Sequence, residues 1–276
     1  MEISLPVTLL VLGAALLHAS WNVLVKSGAD KELETFNVAI GSGLVALVAA
    51  FFLPAPAPAS WPWVAASALV HILYFVFLAG AYRWGELSYT YPVMRGGGPM
   101  IVALVGAFAL GEVLPLHATL GILFICAGIL AFASGRHDGR ATAFALGNAL
   151  VIAAYTLIDG KGARISDAPA SYTLWFFVAN GVVIALYGWL RRGRAVGSYF
   201  MTYPKRAIAG GACAVAAYGI ALWAMTRAPI AVVAVLRETS VIFGAVIAAL
   251  VLNEKFTRRR LAATGAVMLG LVALKL

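Results

Sequence analysis

Apolar residues run almost without interruption along this chain, broken at intervals by charges, prolines and glycines. The pattern predicts membrane spans at 5–25, 35–53, 62–82, 88–110, 116–134, 142–160, 170–190, 206–226, 229–252 and 257–275. Each approaches the ~20 residues that carry an α-helix across ~30 Å of hydrocarbon. None shows the short alternating segments of an outer-membrane barrel, so helices are expected throughout. The first run lacks a basic leader segment and is long enough to span, so it reads as the first helix.

Composition sharpens this into a class. Hydrophobic residues make up 63% of the chain and charged residues 11%, where a soluble domain carries about 25% charged. The bilayer is the expected solvent, and ten spans leave no room for a soluble domain. The net charge of +9 lies mostly in short loops, where it sets orientation and meets anionic lipid headgroups. No basic and aromatic patch of the nucleic-acid kind is present. Of the 20 Lys and Arg, only Lys161, Arg164, Arg227 and Lys275 fall on the side of the N-terminus. Arg95 and Arg237 fall inside spans, and the rest lie on the opposite side. The positive-inside rule then places both termini outside the cytoplasm, in a cytoplasmic (inner) membrane. Cys126 and Cys213 are isolated within spans and suit neither a disulfide nor a metal site.

The chain repeats itself. Laying Leu12 on Leu146 also matches Gly13, Ala15, Leu16, Ala19 and Gly28 with Gly147, Ala149, Leu150, Ala153 and Gly162, and sets Trp21 on Tyr155. Laying Arg95 on Arg237 also matches Val93 with Val235, Glu112 with Glu254 and Gly128 with Gly270. Coincidences of Gly, Ala and Leu are cheap in membrane sequences, but Arg on Arg and Glu on Glu are not. Two units follow, 1–135 and 141–276, each of five helices. Five is odd, so the second unit enters the membrane from the opposite side. The expected fold is an all-α membrane protein of ten transmembrane helices in two inverted repeats, an architecture of secondary transporters with the site near the midplane.

Five plus five helices, the Gly-Glu and Asn-Glu endings at Glu112 and Glu254, and the Gly-rich helices after them resemble the EamA-type drug/metabolite transporter superfamily. His18, Trp21, Asn22 and Lys26, with Tyr91, Pro92, Arg95 and Gly96 to Pro99, resemble its phosphonate-utilisation permease branch. The resemblance implies a carrier of amino acids, metabolites or other small organic solutes, frequently outward. Many relatives have a basic loop after helix two. Here that loop holds Pro54, Pro56 and Pro58 and no charge.

Candidate chemistry lies inside the spans. A charge at helix centre costs about 2.5–3.5 kcal/mol on insertion scales and seldom faces lipid. Arg95 and Arg237 each lie about seven residues into their spans, roughly 10 Å deep. Either guanidinium offers a planar fork to a carboxylate or phosphonate, or else serves as half of a structural ion pair. Glu238 is a candidate for proton coupling or for the fixed counter-ion of Arg95. Gly96, Gly97, Gly98 and Pro99 are expected to weaken or break the fourth helix, because Pro99 removes an amide donor. His18, Trp21 and Asn22 on the first helix, Tyr91 on the fourth and Tyr155 on the sixth are candidate cavity-lining residues. Asn148 and Asp159 share the Tyr155 stripe, and His71, Tyr74, Leu78 and Tyr82 form another. Each reads equally as an interhelical hydrogen bond or an interfacial anchor.

These readings favour a secondary transporter with a small-molecule substrate, a lipid surround and a proton or counter-substrate as possible partner. No nucleotide-binding fingerprint, metal motif or cofactor site is present in the sequence. The rival class, an intramembrane enzyme acting on a lipid-linked substrate, needs clustered catalytic acids or a metal set that the sequence does not supply.

Overall fold

The computed structural model describes residues 3–109, 111, 114–133, 138–252 and 258–274. Glu112, Arg136, Glu254, Lys255 and Lys275 lie outside the described residues. The described chain forms twelve α-helical segments and a short 3-10 turn at Pro58–Ser60. They are α1 (Leu5–Lys26), α2 (Lys31–Ala50), α3 (Trp61–Trp84), α4 (Leu87–Ala109), α5 (Leu116–Leu130) and α6 (Gly139–Ile165). The rest are α7 (Pro169–Arg192), α8 (Arg194–Thr202), α9 (Pro204–Met225), α10 (Ile230–Glu238), α11 (Ser240–Leu252) and α12 (Arg258–Ala273). Six of these, α1, α2, α3, α6, α7 and α9, are long and apolar enough to cross a membrane on their own. Leu9, Leu69, Leu123, Leu186 and Leu269 point outward, as the lipid-facing side of a multi-pass membrane protein requires.

Local chemistry sets the ends. Asp30 caps α2, its carboxylate accepting from the backbone N–H of Glu32 and Leu33 at 3.0 Å each, and Asp138 caps α6 through Ala141 at 2.8 Å. Both satisfy amides that helix geometry leaves without partners. At the far end of α6, the Arg164 guanidinium donates to the carbonyls of Met225 (2.8 Å) and Ala228 (3.0 Å), capping the end of α9.

Between helices, small residues allow close approach in place of a hydrophobic drive, which lipid does not supply. A Cβ on Gly181 of α7 would meet the Gly43 Cα of α2 at 2.9 Å. One on Gly270 of α12 would meet the Gly121 carbonyl of α5 at 2.7 Å. The strongest neighbours are α3 with α6, α2 with α7 and α9, α4 with α6 and α5, α5 with α12, and α1 with α9 and α11. Every residue of α10 is buried. It is packed by α4, α1, α9, α5 and α6, so its end lies in the heart of the bundle.

Three expectations are corrected. Gly96, Gly97, Gly98 and Pro99 do not break the fourth helix: α4 runs continuously with Pro92 and Pro99 inside it. The glycines instead let neighbours close in, since a Cβ at Gly98 would meet Ile152 at 2.7 Å and one at Gly96 would meet Leu130 at 2.9 Å. The span expected at 229–252 is the interrupted one, divided between α10 and α11 at Thr239. There the Thr239 hydroxyl and amide both turn to the Leu236 carbonyl, at 2.7 and 3.2 Å, a side-chain competition that tightens the turn and ends a helix. The basic stretch after α7, read as a loop, holds the helix α8, entered through Gly193 at φ 55°.

Candidate functional site

Where α10 ends beside α4, three charges are sealed from solvent. Arg95 is 6% exposed, Arg237 3% and Glu238 1%. Glu238 turns away from its neighbour in sequence, as the ~100° step of a helix dictates, and meets Arg95, with Nε to Oε2 at 2.6 Å. Arg95 also places Nη2 3.1 Å from His18 Nε2 on α1. A guanidinium only donates, so this imidazole nitrogen accepts, and His18 is the neutral tautomer with its proton on Nδ1. The Tyr91 ring, one turn back on α4, lies 5.9 Å from the Arg95 guanidinium carbon.

Arg237 has a different environment. Its nearest acidic contact is Glu238 Oε1 at 3.8 Å, on the carboxylate already held by Arg95. Its Nε has no hydrogen-bond partner and no acidic oxygen like the one that Arg95 Nε meets at 2.6 Å. Its guanidinium carbon stands 5.2 Å over the ring of Tyr218, from α9. A buried donor group normally finds partners, and this one, among the described residues, has a shared carboxylate and an aromatic face.

Around the charges stands a wall of rings. His71 of α3 lies 4.3 Å from Tyr155 and 4.9 Å from Phe176, and Phe176 lies 5.6 Å from Tyr218. Tyr74 meets Tyr155 edge-on at 6.1 Å. Behind Tyr218 lies Asp159 of α6, fully buried. It accepts from Tyr218 at 2.5 Å and from Tyr172 of α7 at 2.9 Å.

The structure therefore brings His18, Tyr91, Arg95, Arg237 and Glu238 together, with Tyr155 in the surrounding wall. Trp21 touches the group through His18, ring to ring at 5.1 Å, and otherwise packs against the apolar cluster that contains Phe176 and Phe177. Asn22 spends its amide on the His18 carbonyl of its own helix at 2.7 Å, and Asn148 is buried against the Met94 sulfur at 2.9 Å. Tyr82 is exposed. Sequence reasoning passed over Tyr218 and Tyr172. The only available signal was a lone phenol in each of two helix faces otherwise lined by small or apolar residues.

A second charge cluster lies at the end of the bundle where α1 leads into α2. Arg192 meets Asp30 and Glu32 at 2.5 Å each, and Arg191 meets Glu32 at 3.3 Å. Glu34 is fully buried and receives Arg206 at 3.1 Å and the Tyr199 hydroxyl at 2.7 Å. The Leu33 amide, with Arg192 beside it, holds the Asp30 carboxyl below the usual carboxylate range. Among the described residues, no group of three His, Cys, Asp or Glu is placed to hold a metal ion.

Residues 140–276 match the sequence model of the EamA-like transporter family. A comparison with curated proteins finds none that matches. One solved structure, described as "Crystal structure of protein", is similar with a TM-score of 0.75 at 19% identity, over 98% of each chain. At that identity the likeness speaks for the fold alone.

Proposed function

The chain belongs to the EamA-like transporter family, and from that premise we propose that it carries a small organic anion or zwitterion across the cytoplasmic membrane by alternating access. The anionic group of the substrate is bound at Arg237. The observation that carries this reading is the unmet hydrogen-bonding capacity of that guanidinium at 3% exposure. A buried cation is kept in a membrane protein where it has a partner to meet, and a carboxylate or phosphonate fits the guanidinium fork. Arg95 is the second arm. Glu238 is its fixed counter-ion, and His18 and Tyr91 hold it in place. Tyr155, Phe176 and Tyr218 cover the apolar part of the solute.

The packing supports an inverted duplication of five and five spans, with α10 and α11 as two parts of one span and α8 lying at the interface. Exchanging the units turns the α1–α9 contact into α6–α3 and the α1–α11 contact into α6–α4, both of which exist. It leaves α2–α7, α4–α10 and α5–α12 unchanged, and these also exist. Such symmetry lets one arrangement close the site to either side. The Lys/Arg distribution supports placing the Arg191–Arg206 end in the cytoplasm.

Counterflow in proteoliposomes with labelled amino acids, carboxylates and phosphonates tests the assignment. Arg237→Gln is expected to lower exchange of the accepted solute by about thirtyfold or more, and Arg237→Lys to restore only part of it. Undiminished exchange by Arg237→Gln would remove Arg237 from the site.

A further inference from the structure

We propose that Asp159 takes up a proton when an anion binds at Arg237, so that the two cross the membrane together. This rests on the reading of Arg237 as the anion site and adds the coupling ion to it.

Among the described residues, Glu238 and Asp159 are the two fully buried carboxylates in the middle of the bundle, and they are not alike. Glu238 lies between two arginines, at 2.6 and 3.8 Å. Asp159 has no ion pair among the described residues. It is held by phenols from two other helices, Tyr172 on Oδ1 and Tyr218 on Oδ2. The other titratable and polar groups facing it are Tyr155 on its own helix, Ser67 on α3, and Arg237 on α10 beyond the Tyr218 ring, while His71 of α3 lies against Tyr155. Arg95 of α4 is engaged with Glu238.

Charge balance supplies the argument. With both acids ionised, Arg95, Arg237, Glu238 and Asp159 sum to zero in a low-dielectric interior. Adding an anion alone would leave that interior with a net negative charge, which is expensive there. Adding an anion with a proton keeps it neutral. Glu238 is the poorer receiver of that proton, because protonating it breaks the 2.6 Å ion pair. Asp159 loses no ion pair. The proton adds to Oδ2, forming an O–H bond, and the Tyr218 hydroxyl changes from donor to acceptor with its own hydrogen turning away. Tyr218 also carries Arg237 on its ring face. One side chain thus joins the proton site to the anion site, and linkage requires each ligand to strengthen the other.

The test uses proteoliposomes loaded with a pH-sensitive dye, membrane potential clamped, and labelled alkylphosphonates and amino acids added outside, with the leak of empty vesicles subtracted. In the wild type, entry of an accepted solute of net negative charge is expected to acidify the lumen, with apparent affinity rising by up to about tenfold per unit of external acidification. Asp159→Asn is expected to keep counterflow of the same solute and lose acidification by at least tenfold, while Asp159→Glu keeps both. Wild-type uptake of a net anion without acidification, full acidification by Asp159→Asn, or loss of counterflow in folded Asp159→Asn overturns the inference and leaves the Arg237 reading standing. Normal exchange by Arg237→Gln, or no exchange of any panel member by the wild type, sinks both. Should Asp159→Asn not fold, infrared difference spectra of the wild type decide. A carboxylic acid carbonyl band appearing on addition of the accepted solute supports the inference, and its absence contradicts it.

Discussion

At the rim of the bundle, Asp30, Glu32 and Glu34 meet Arg191, Arg192 and Arg206 so that every charge has an opposite one within 3.3 Å. At its centre, Arg95 and Glu238 take each other, and Arg237 is left with a shared contact at 3.8 Å. The ingredients are the same and the completeness differs. Rim pairs are partly wet: the Arg192 and Glu32 side chains are each 35% exposed, and water screens whatever geometry leaves unmet. At the centre burial removes that screening, so a guanidinium with an incomplete set of partners keeps capacity for a further one. Pairing is complete at the partly exposed rim and incomplete at the buried centre, and the proposed site rests on that difference.

The comparison is open to attack by substitution. The largest effect is expected from Glu238→Gln, which leaves two buried guanidiniums without their anion. It should cost about 3–5 kcal/mol of stability, read as a lowered thermal midpoint in detergent. A midpoint unchanged from wild type would mean that the central pair is not what holds Arg95. Glu34→Ala removes a buried acid whose arginine partner can reach water, so about 1–3 kcal/mol is expected, with anion counterflow retained. Lost counterflow in a folded Glu34→Ala protein would show that the rim takes part in transport. Asp30→Ala removes a helix cap and should cost about 1 kcal/mol. Its sign with pH is fixed. The folded carboxyl holds its proton less tightly than the unfolded one, so its contribution is present at neutral pH and disappears as pH falls through the acid range. A wild-type to Asp30→Ala gap that widened on acidification would contradict this.

The spans were legible because length and hydropathy are local properties, and α1, α3, α7 and α9 begin and end within about a turn of expectation. Arg95, Arg237 and Glu238 stood out because charge is rare in such segments. What the chain does not show locally is partnership. Arg95 and Arg237 align in the repeat, but the residue after Arg95 is Gly96 and the residue after Arg237 is Glu238. One acid therefore serves two arginines, and only packing decides which of them receives it. Azimuth around a helix could say that Glu238 points away from Arg237, and not that it would reach α4. Nothing local marks Glu34, because its partners, Tyr199 and Arg206, come from α8 and α9. Asp159 looked like one more polar stripe residue because its phenols arrive from α7 and α9. The break was expected at Pro99 on backbone grounds, yet α4 stays helical through it with its glycines packed close against α5 and α6, and Thr239 ended α10 without a proline.

The most direct measurement is thermal unfolding of the purified protein against a panel of small carboxylates, amino acids and phosphonates. A ligand that binds only the folded state raises the midpoint with its concentration. The wild type is predicted to be stabilised by at least one anion, and Arg237→Gln by none at the same concentrations. An anion that stabilises both proteins equally would contradict the assignment of Arg237 as the place where substrate charge is met.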